Sequence, residues 1–139
     1  MHILIIGAAG MIGVKLTNRL IKDQGLAGKP IDAVTLVDVV APATPADAPF
    51  AVTTKAADLS SPGTAAGLVA DRPDVIFHLA AIVSGEAEAD FEKGYRINLD
   101  GTRYLFEAIR QVGDGYKPRV VFTSSIAVFG APFPDAIPD

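Results

Sequence analysis

The feature that most restricts this chain is a short apolar run that ends in a glycine turn and passes directly into a helical pattern. Ile3-Leu4-Ile5-Ile6 reads as a strand buried on both faces, and Gly7-x-x-Gly10-x-x-Gly13 follows it without a break. Past the turn the period changes. Met11, Ile12, Leu16, Leu20 and Ile21 recur at three-to-four spacing, which predicts a helix from Met11 to about Lys22. Gly25 to Pro30 is a turn cluster, and Ala33 to Val37 is a second buried strand closed by Asp38.

The same alternation continues. Ala41 to Pro49 holds three prolines and reads as a surface loop, and Phe50 to Ala57 is a candidate third strand. Ser61-Pro62 marks a helix start, because a hydroxyl can cap free amides and proline has no amide to leave unpaired; that helix is expected to run to about Asp71. Asp74 to Ala80 is a fourth strand. A long helix is expected from near Asp90 to Val112, with Phe91, Tyr95, Asn98, Thr102, Leu105 and Ile109 near one face. Pro118 to Thr123 is a fifth strand, and Ala131 to Asp139 is a proline-rich tail. Strands that alternate with helices give an α/β fold: a Rossmann-like, doubly wound parallel sheet of about five strands in a single unit.

The turn has a chemical reading. A side chain at Gly7 or Gly10 would obstruct a tight turn and the approach of a pyrophosphate to backbone amides. Gly13 lets the helix lie close to the sheet, and the helix N-terminus offers free N–H groups and partial positive charge. Spacing alone is weak evidence, because ligand-free glycine turns are common. Asp38 adds to it: a carboxylate at the end of the second strand can accept from both hydroxyls of an adenosine ribose and repels a 2′-phosphate. Val39 and Val40 follow, with no arginine to receive such a phosphate, so the pattern favours NAD over NADP. The bland alternative for Asp38 is a solvated acid that caps a turn.

Composition narrows the function classes. Twelve basic against sixteen acidic residues among 139 give a net charge of −4, which disfavours nucleic acid as a partner. The lack of cysteine removes disulfides, thiolate metal sites and cysteine nucleophiles, and fits a reducing cytoplasm. No apolar run approaches a membrane span, and Met1-His2-Ile3 lacks a signal peptide's basic region.

With these residues in view, the chain resembles the extended branch of the short-chain dehydrogenase/reductase superfamily, the NAD-dependent epimerase/dehydratase group. The matching segments are Gly7 to Gly13, Asp38, Asp58-Leu59, Leu79-Ala80-Ala81, Asn98-Leu99-Asp100-Gly101-Thr102 and Thr123-Ser124-Ser125-Ile126-Ala127-Val128-Phe129-Gly130. The resemblance implies NAD as cofactor, held by Gly7, Ala9, Gly10, Met11, Ile12, Gly13, Asp38, Asp58, Leu59, Leu79, Ala80, Ala81, Asn98, Thr123 and Ser124. Within that set Asp58 would bind the adenine amino group and Leu59 would pack on the ring. Ser125 lies three positions before the valine of Val128-Phe129-Gly130 and so matches the catalytic serine, which hydrogen-bonds the reacting oxygen. Phe129 stands where the family often has tyrosine. Without the resemblance, Ser125 reads as a strand-end hydroxyl bonded to nearby backbone.

A narrower likeness, in residues 78–91 and 128–135, points to dehydrogenases of four-carbon sugar acids within that branch. It implies NAD-dependent oxidation of a secondary alcohol of a small sugar-acid substrate, with Ser84 and Ser125 as candidate substrate contacts. The alternatives are a sugar-nucleotide epimerase or dehydratase, and an NAD-binding module that catalyses nothing. The family's base is a tyrosine with a lysine four residues on, whose ammonium lowers the phenol's pKa. Four residues after Tyr95, Tyr104 and Tyr116 stand Leu99, Ala108 and Val120, so none fits. The pair is expected shortly beyond Asp139, which makes residues 1–139 the NAD-binding portion of a longer enzyme, a homodimer by family expectation.

His2 and His78 make no metal cluster, and His78 reads as a structural histidine within a strand. The acidic run Glu86, Glu88, Asp90 and Glu92 reads as a solvated face near a helix N-terminus. No metal site is expected. Asn98 and Thr102 interrupt an apolar helical face, which predicts hydrogen-bond partners that join the helix to the strand ends.

Overall fold

In a computed structural model, which describes residues 1–130, 132 and 136, β1 (His2–Ile6) forms the centre of a five-stranded parallel sheet. Parallel partners flank it: β4 (Ala33–Asp38) on one side and β6 (Val75–His78) on the other. β5 (Ala51–Ala56) and β7 (Arg119–Phe122) form the edges, giving the order β5-β4-β1-β6-β7. The chain thus leaves β1 toward one edge, returns across it, and builds the other half. This reversal opens a crevice at the carboxyl ends of β4, β1 and β6. Rossmann-like topology is confirmed, and all five expected strands are present with small shifts at their ends.

Residues 3–6 of β1 and Val34, Leu36 and Val37 of β4 are Ile, Leu or Val because both faces of the sheet are covered. Ile3, Leu4, Ile5 and Val37 have no exposed surface. α1 (Met11–Asp23) covers one face, where Leu20 meets Ile3, Ile5 and Leu36. α2 (Thr64–Val69) and α5 (Gly101–Val112) cover the other, where Leu68, Val69 and Leu105 meet Leu4, Ile6 and Ile76. The turn cluster after α1 is a small antiparallel ribbon, β2 (Gly25–Leu26) with β3 (Lys29–Pro30).

Two helical expectations need correction. α2 begins at Thr64 after Gly63, whose φ is +83°, and not at Ser61-Pro62. The Ser61 amide donates to the Asp58 carbonyl and the Thr64 amide to the Ser61 carbonyl, so a turn separates the strand from the helix. The single long helix expected from near Asp90 to Val112 is three segments, α4 (Phe91–Gly94), a π-helical stretch over Tyr95–Asp100, and α5, and a short helix that was not expected, α3 (Ser84–Ala89), precedes them. The π stretch displaces the 3.6-residue phase, because its i→i+5 bonds accommodate an extra residue. Gly101, Leu105 and Ala108 therefore meet the core, whereas Phe91 and Tyr95, on the expected inner face, are 64% and 53% exposed. The proline-rich tail lies outside the described residues apart from Pro132 and Ala136.

The glycine turn is sterically fixed. Gly7 has φ +91°, and a Cβ there would stand 2.7 Å from the Ala80 amide nitrogen. On Gly13 it would stand 2.6 Å from the Ala8 Cα. Helix α1 can approach β1 only because residue 13 has no side chain. Gly13→Ala is expected to lower unfolding stability by about 2–3 kcal/mol through overpacking. Gly67→Ala, in α2 with nothing within 4 Å of the new carbon, should raise stability by about 0.5–1 kcal/mol. Urea denaturation of the two variants checks both signs.

Candidate functional site

A cleft of about 370 Å³ lies over the carboxyl ends of β4, β1 and β6. Gly7, Ala9, Gly10, Asp38, Asp58, Leu59, Leu79, Ala80 and Ala81 all line it, so nine of the fifteen sequence-predicted cofactor residues come together. Its shape follows from the local chemistry of each wall.

The floor is the glycine turn. The Gly7 and Ala8 amides both donate to the Val37 carbonyl, which ties the turn to β4. Gly10 is the N-cap of α1 in extended conformation; among the described residues no side chain caps this helix end, and no acid stands in its first turn. The amide end of a thirteen-residue helix therefore faces outward with its partial positive charge uncompensated, which suits an anion. Met11 and Ile12 lie in this first turn with side chains 69% and 51% exposed, so only their amides can serve such a ligand. Gly13 acts one layer below, through the close approach described above.

Asp38 forms one side wall. Its two carboxylate oxygens accept from different amides: Oδ2 from Ala9 at 2.9 Å and Oδ1 from Val39 at 2.8 Å. Asp38 therefore braces the glycine turn as well as presenting charge to the cleft. Asp58 stands farther along this wall. Its Oδ1 accepts from both the amide and the hydroxyl of Ser60, and these bonds, with the Arg96 charge, outweigh burial and hold its carboxyl below the usual aspartate range. Leu59 has a double position: it is only 7% exposed and belongs to the core beneath α2 and α5, yet one edge reaches the cleft.

The opposite wall is the Leu79-to-Ile82 segment. The Leu79 amide donates to the Ile6 carbonyl, after which β1 turns away at Gly7 and the segment leaves the sheet. Asn98 holds it in place. Its Oδ1 accepts from the Ile82 amide at 2.9 Å, and its Nδ2 donates to the Ile82 carbonyl at 3.0 Å. Asn98 does not line the cleft; it positions the backbone that does. The partners expected for Asn98 and Thr102 are thus present, and they join the helix to the strand ends.

Behind this wall lies His78, 1% exposed. The Thr102 hydroxyl donates to the Asn98 carbonyl at 2.9 Å, so its oxygen must accept from His78 Nε2–H, also at 2.9 Å. This places a proton on Nε2 and leaves Nδ1 with no partner among the described residues. Burial pushes the His78 pKa below its ordinary value of 6.5.

Thr123, Ser124 and Ser125 lie past the end of β7, exposed and not part of the cleft lining. The Thr123 hydroxyl donates to the His78 carbonyl at 3.3 Å, tying this segment to β6. Ser125 is the N-cap of a short 3₁₀ turn (Ile126–Phe129), and its Oγ accepts from the Ala127 amide at 3.2 Å. The oxygen is engaged with backbone while the O–H proton stays available. Ser84 starts α3 and lines a separate shallow groove with Phe91, Tyr95 and Leu99, so the structure does not bring it to the cleft. Sequence reading missed Ile6, Val39, Val40, Ser60, His78, Ile82 and Ile97 as lining residues. Adjacency to Asp38, Asp58 and Leu79 was the available signal for most of them. Ile97 had none, because the π stretch alone decides its direction. Among the described residues no group of His, Asp or Glu could hold a metal ion, and no helix is long and apolar enough to cross a membrane.

The profile of the NAD dependent epimerase/dehydratase family matches residues 3–139. The chain belongs to that family. D-erythronate dehydrogenase from Cupriavidus necator is 45% identical over 144 residues, covering all of this chain and 43% of that protein. A solved structure described as a nucleoside-diphosphate-sugar epimerase from Agrobacterium tumefaciens is 71% identical, with a TM-score of 0.93, over all of this chain and 41% of that one. Uronate dehydrogenase from the same organism, solved as a tyrosine-to-alanine variant with NAD, is 30% identical, with a TM-score of 0.66, over 89% of this chain and 40% of that one. The chain thus spans less than half the length of each relative. NAD is the cofactor of the family, and the steric test supports its fit here: the Gly7 and Gly13 positions exclude a Cβ, and the helix end above them is uncapped.

Because the folded state binds a proton on His78 more weakly than the unfolded chain does, the neutral ring's stability is present above about pH 6.5. It is lost as pH falls below that value. Urea titrations from about pH 7 to about pH 5 should show wild type losing up to ~1.4 kcal/mol per pH unit more than His78→Gln. Parallel pH dependences for the two proteins would contradict the buried neutral ring.

Proposed function

We propose that this chain is the NAD-binding portion of a cytoplasmic dehydrogenase that oxidises a secondary alcohol of a small sugar acid, D-erythronate to 2-dehydro-D-erythronate. The observation that carries the substrate is the 45% identity, across all of this chain, with a protein named D-erythronate dehydrogenase. The cofactor half rests on the cleft itself.

In this reading the amides of Ala9 to Gly13 receive the pyrophosphate at the end of α1. Asp38 accepts from the adenosine ribose hydroxyls with the lone pairs its two amide donors leave over, and Asp58 accepts from the adenine amino group. Leu79, Ala80 and Ala81 run along the dinucleotide, held to shape by Asn98. Thr123 and Ser124 lie at the nicotinamide end. Bound NAD supplies the hydride acceptor. Ser125 donates its free O–H proton to the reacting oxygen, fixed in direction by its bond from Ala127. The substrate hydroxyl proton goes to a base that the family places on a tyrosine with lysine four residues on, and no tyrosine among Tyr95, Tyr104 and Tyr116 has that lysine. The proposal puts the pair on sequence following residue 139. Ser84, which lines a groove apart from the cleft, has no part in this reading.

The likeness at 71% identity to a structure described as a nucleoside-diphosphate-sugar epimerase favours a second reading, in which NAD is reduced and reoxidised within each turnover. The two readings differ in net product. With the full-length gene product containing this chain, D-erythronate and NAD should give stoichiometric NADH. Silence with D-erythronate, together with epimerisation of a nucleotide sugar without NADH, would replace the first reading by the second. NAD binding with no turnover of either would leave a module that binds and does not catalyse.

The exposed stripe of Phe91, Tyr95, Leu99 and Phe106 supports the homodimer, since a helical row this apolar is otherwise left to water. Light scattering of the full-length product should return twice the monomer mass, and a monomer would refute it. For cofactor choice, Asp38→Ala should reduce the NAD-to-NADP ratio of kcat/KM by about tenfold or more, the equivalent of one charge-assisted hydrogen bond. An unchanged ratio would remove Asp38 from ribose recognition.

A further inference from the structure

Ser60 is 5% exposed, lines the cleft beside Asp58, and is assigned no part in the reading above. Its amide and its hydroxyl both donate to one oxygen of Asp58, at 2.8 and 2.7 Å. A hydroxyl has one proton, so Ser60 Oγ is a committed donor to Asp58 and offers the cleft lone pairs only. Two donors on Oδ1 fix the carboxylate plane. Among the described residues, Oδ2 receives no protein donor and remains the acceptor face of the group. The turn that sets this arrangement is itself held, because the Ser61 amide donates to the Asp58 carbonyl and Gly101 of α5 packs against it. A Cβ on Gly101 would lie 3.5 Å from the Ser60 amide nitrogen.

We propose that Ser60 is a positioning residue for purine recognition: by holding Asp58 Oδ1, it aims Oδ2 at the exocyclic group of the base. This rests on the assignment of Asp58 to the adenine amino group. An ionised, oriented oxygen accepts from an amino N–H and repels a carbonyl oxygen. Ser60 therefore contributes discrimination between a 6-amino and a 6-oxo purine, beyond any general contribution to affinity. The low-lying carboxyl of Asp58, whose largest cause is the Ser60 hydroxyl, agrees with this.

The test compares binding of NAD and of nicotinamide hypoxanthine dinucleotide, which differ at the 6-position and in the proton that the 6-oxo base carries on N1, to the full-length gene product containing this chain by isothermal titration calorimetry. Ser60→Cys keeps nearly the same volume with a weak donor, and Ser60→Thr restores the hydroxyl. Wild type should favour NAD. Ser60→Cys should reduce the NAD-to-hypoxanthine preference by about three- to tenfold, and Ser60→Thr should recover it. Ser60→Ala should behave as Cys does, and a thermal melt of each variant identifies any that fails to fold. If Cys lowers both affinities together and leaves the preference intact, Ser60 is merely structural and the inference is overturned. Should Asp58→Asn abolish the preference while Ser60→Cys does not, the inference fails and the Asp58 assignment survives. If wild type binds NAD without preferring it, or does not bind it, the assignment of Asp58 falls first.

Discussion

The structure depends on one close backbone approach. Between β1 and α1 the chain passes so near to Ala8 and to the Leu79–Ala80 segment that neither Gly7 nor Gly13 has room for a Cβ. This approach places the uncapped end of α1 over the crevice where the strand order reverses. It also draws the Leu79-to-Ile82 segment alongside the turn as the opposite wall. The central strand, the first helix and both walls of the cleft are positioned by the same few ångströms of excluded side chain.

Around this backbone frame, polar side chains perform two separable tasks. Asp38 and Asp58 present charge to the cleft, yet each is first a structural acceptor: Asp38 for the Ala9 and Val39 amides, Asp58 for Ser60. Asn98 and Thr102 do not line the cleft, and His78 lines it with its unpartnered Nδ1 buried. They form a chain of hydrogen bonds from β6 through the helix to the Ile82 backbone. A site of this kind is rigid where it is peptide and selective where it is carboxylate. That division suits a ligand with a phosphate centre and two distinct ends.

The strands and the glycine turn were legible because both follow from short-range rules. Ile3 to Ile6 is wholly apolar and Ala33 to Val37 has Thr35 as its one polar residue, and Gly7 to Gly13 gained meaning from standing between a strand and a helix. Asp38 was found by its place at a strand end, and Asp58 through the family resemblance of the Asp58-Leu59 pair. The π stretch at Tyr95–Asp100 was not legible, since no residue type demands it, and its one-residue phase shift turned Phe91 and Tyr95 outward. Ser61-Pro62 misled for a related reason. A good helix start was superseded by the Asp58–Ser60 turn, a side-chain bond that composition does not reveal. Ser60 escaped notice because serine next to aspartate is ordinary until its hydroxyl is seen bound to that aspartate.

The central claim is that the cleft over β4, β1 and β6 takes NAD with the pyrophosphate at the start of α1. Amide chemical shifts of this chain titrated with NAD test it most directly. The largest, saturable changes are expected at Ala9 to Gly13, Val39, Leu59 and Ala80 to Ile82, with smaller ones in β7. Saturating NAD that moves none of these amides, or moves chiefly those around Lys29 and Arg119 at the opposite end of the sheet, would contradict it.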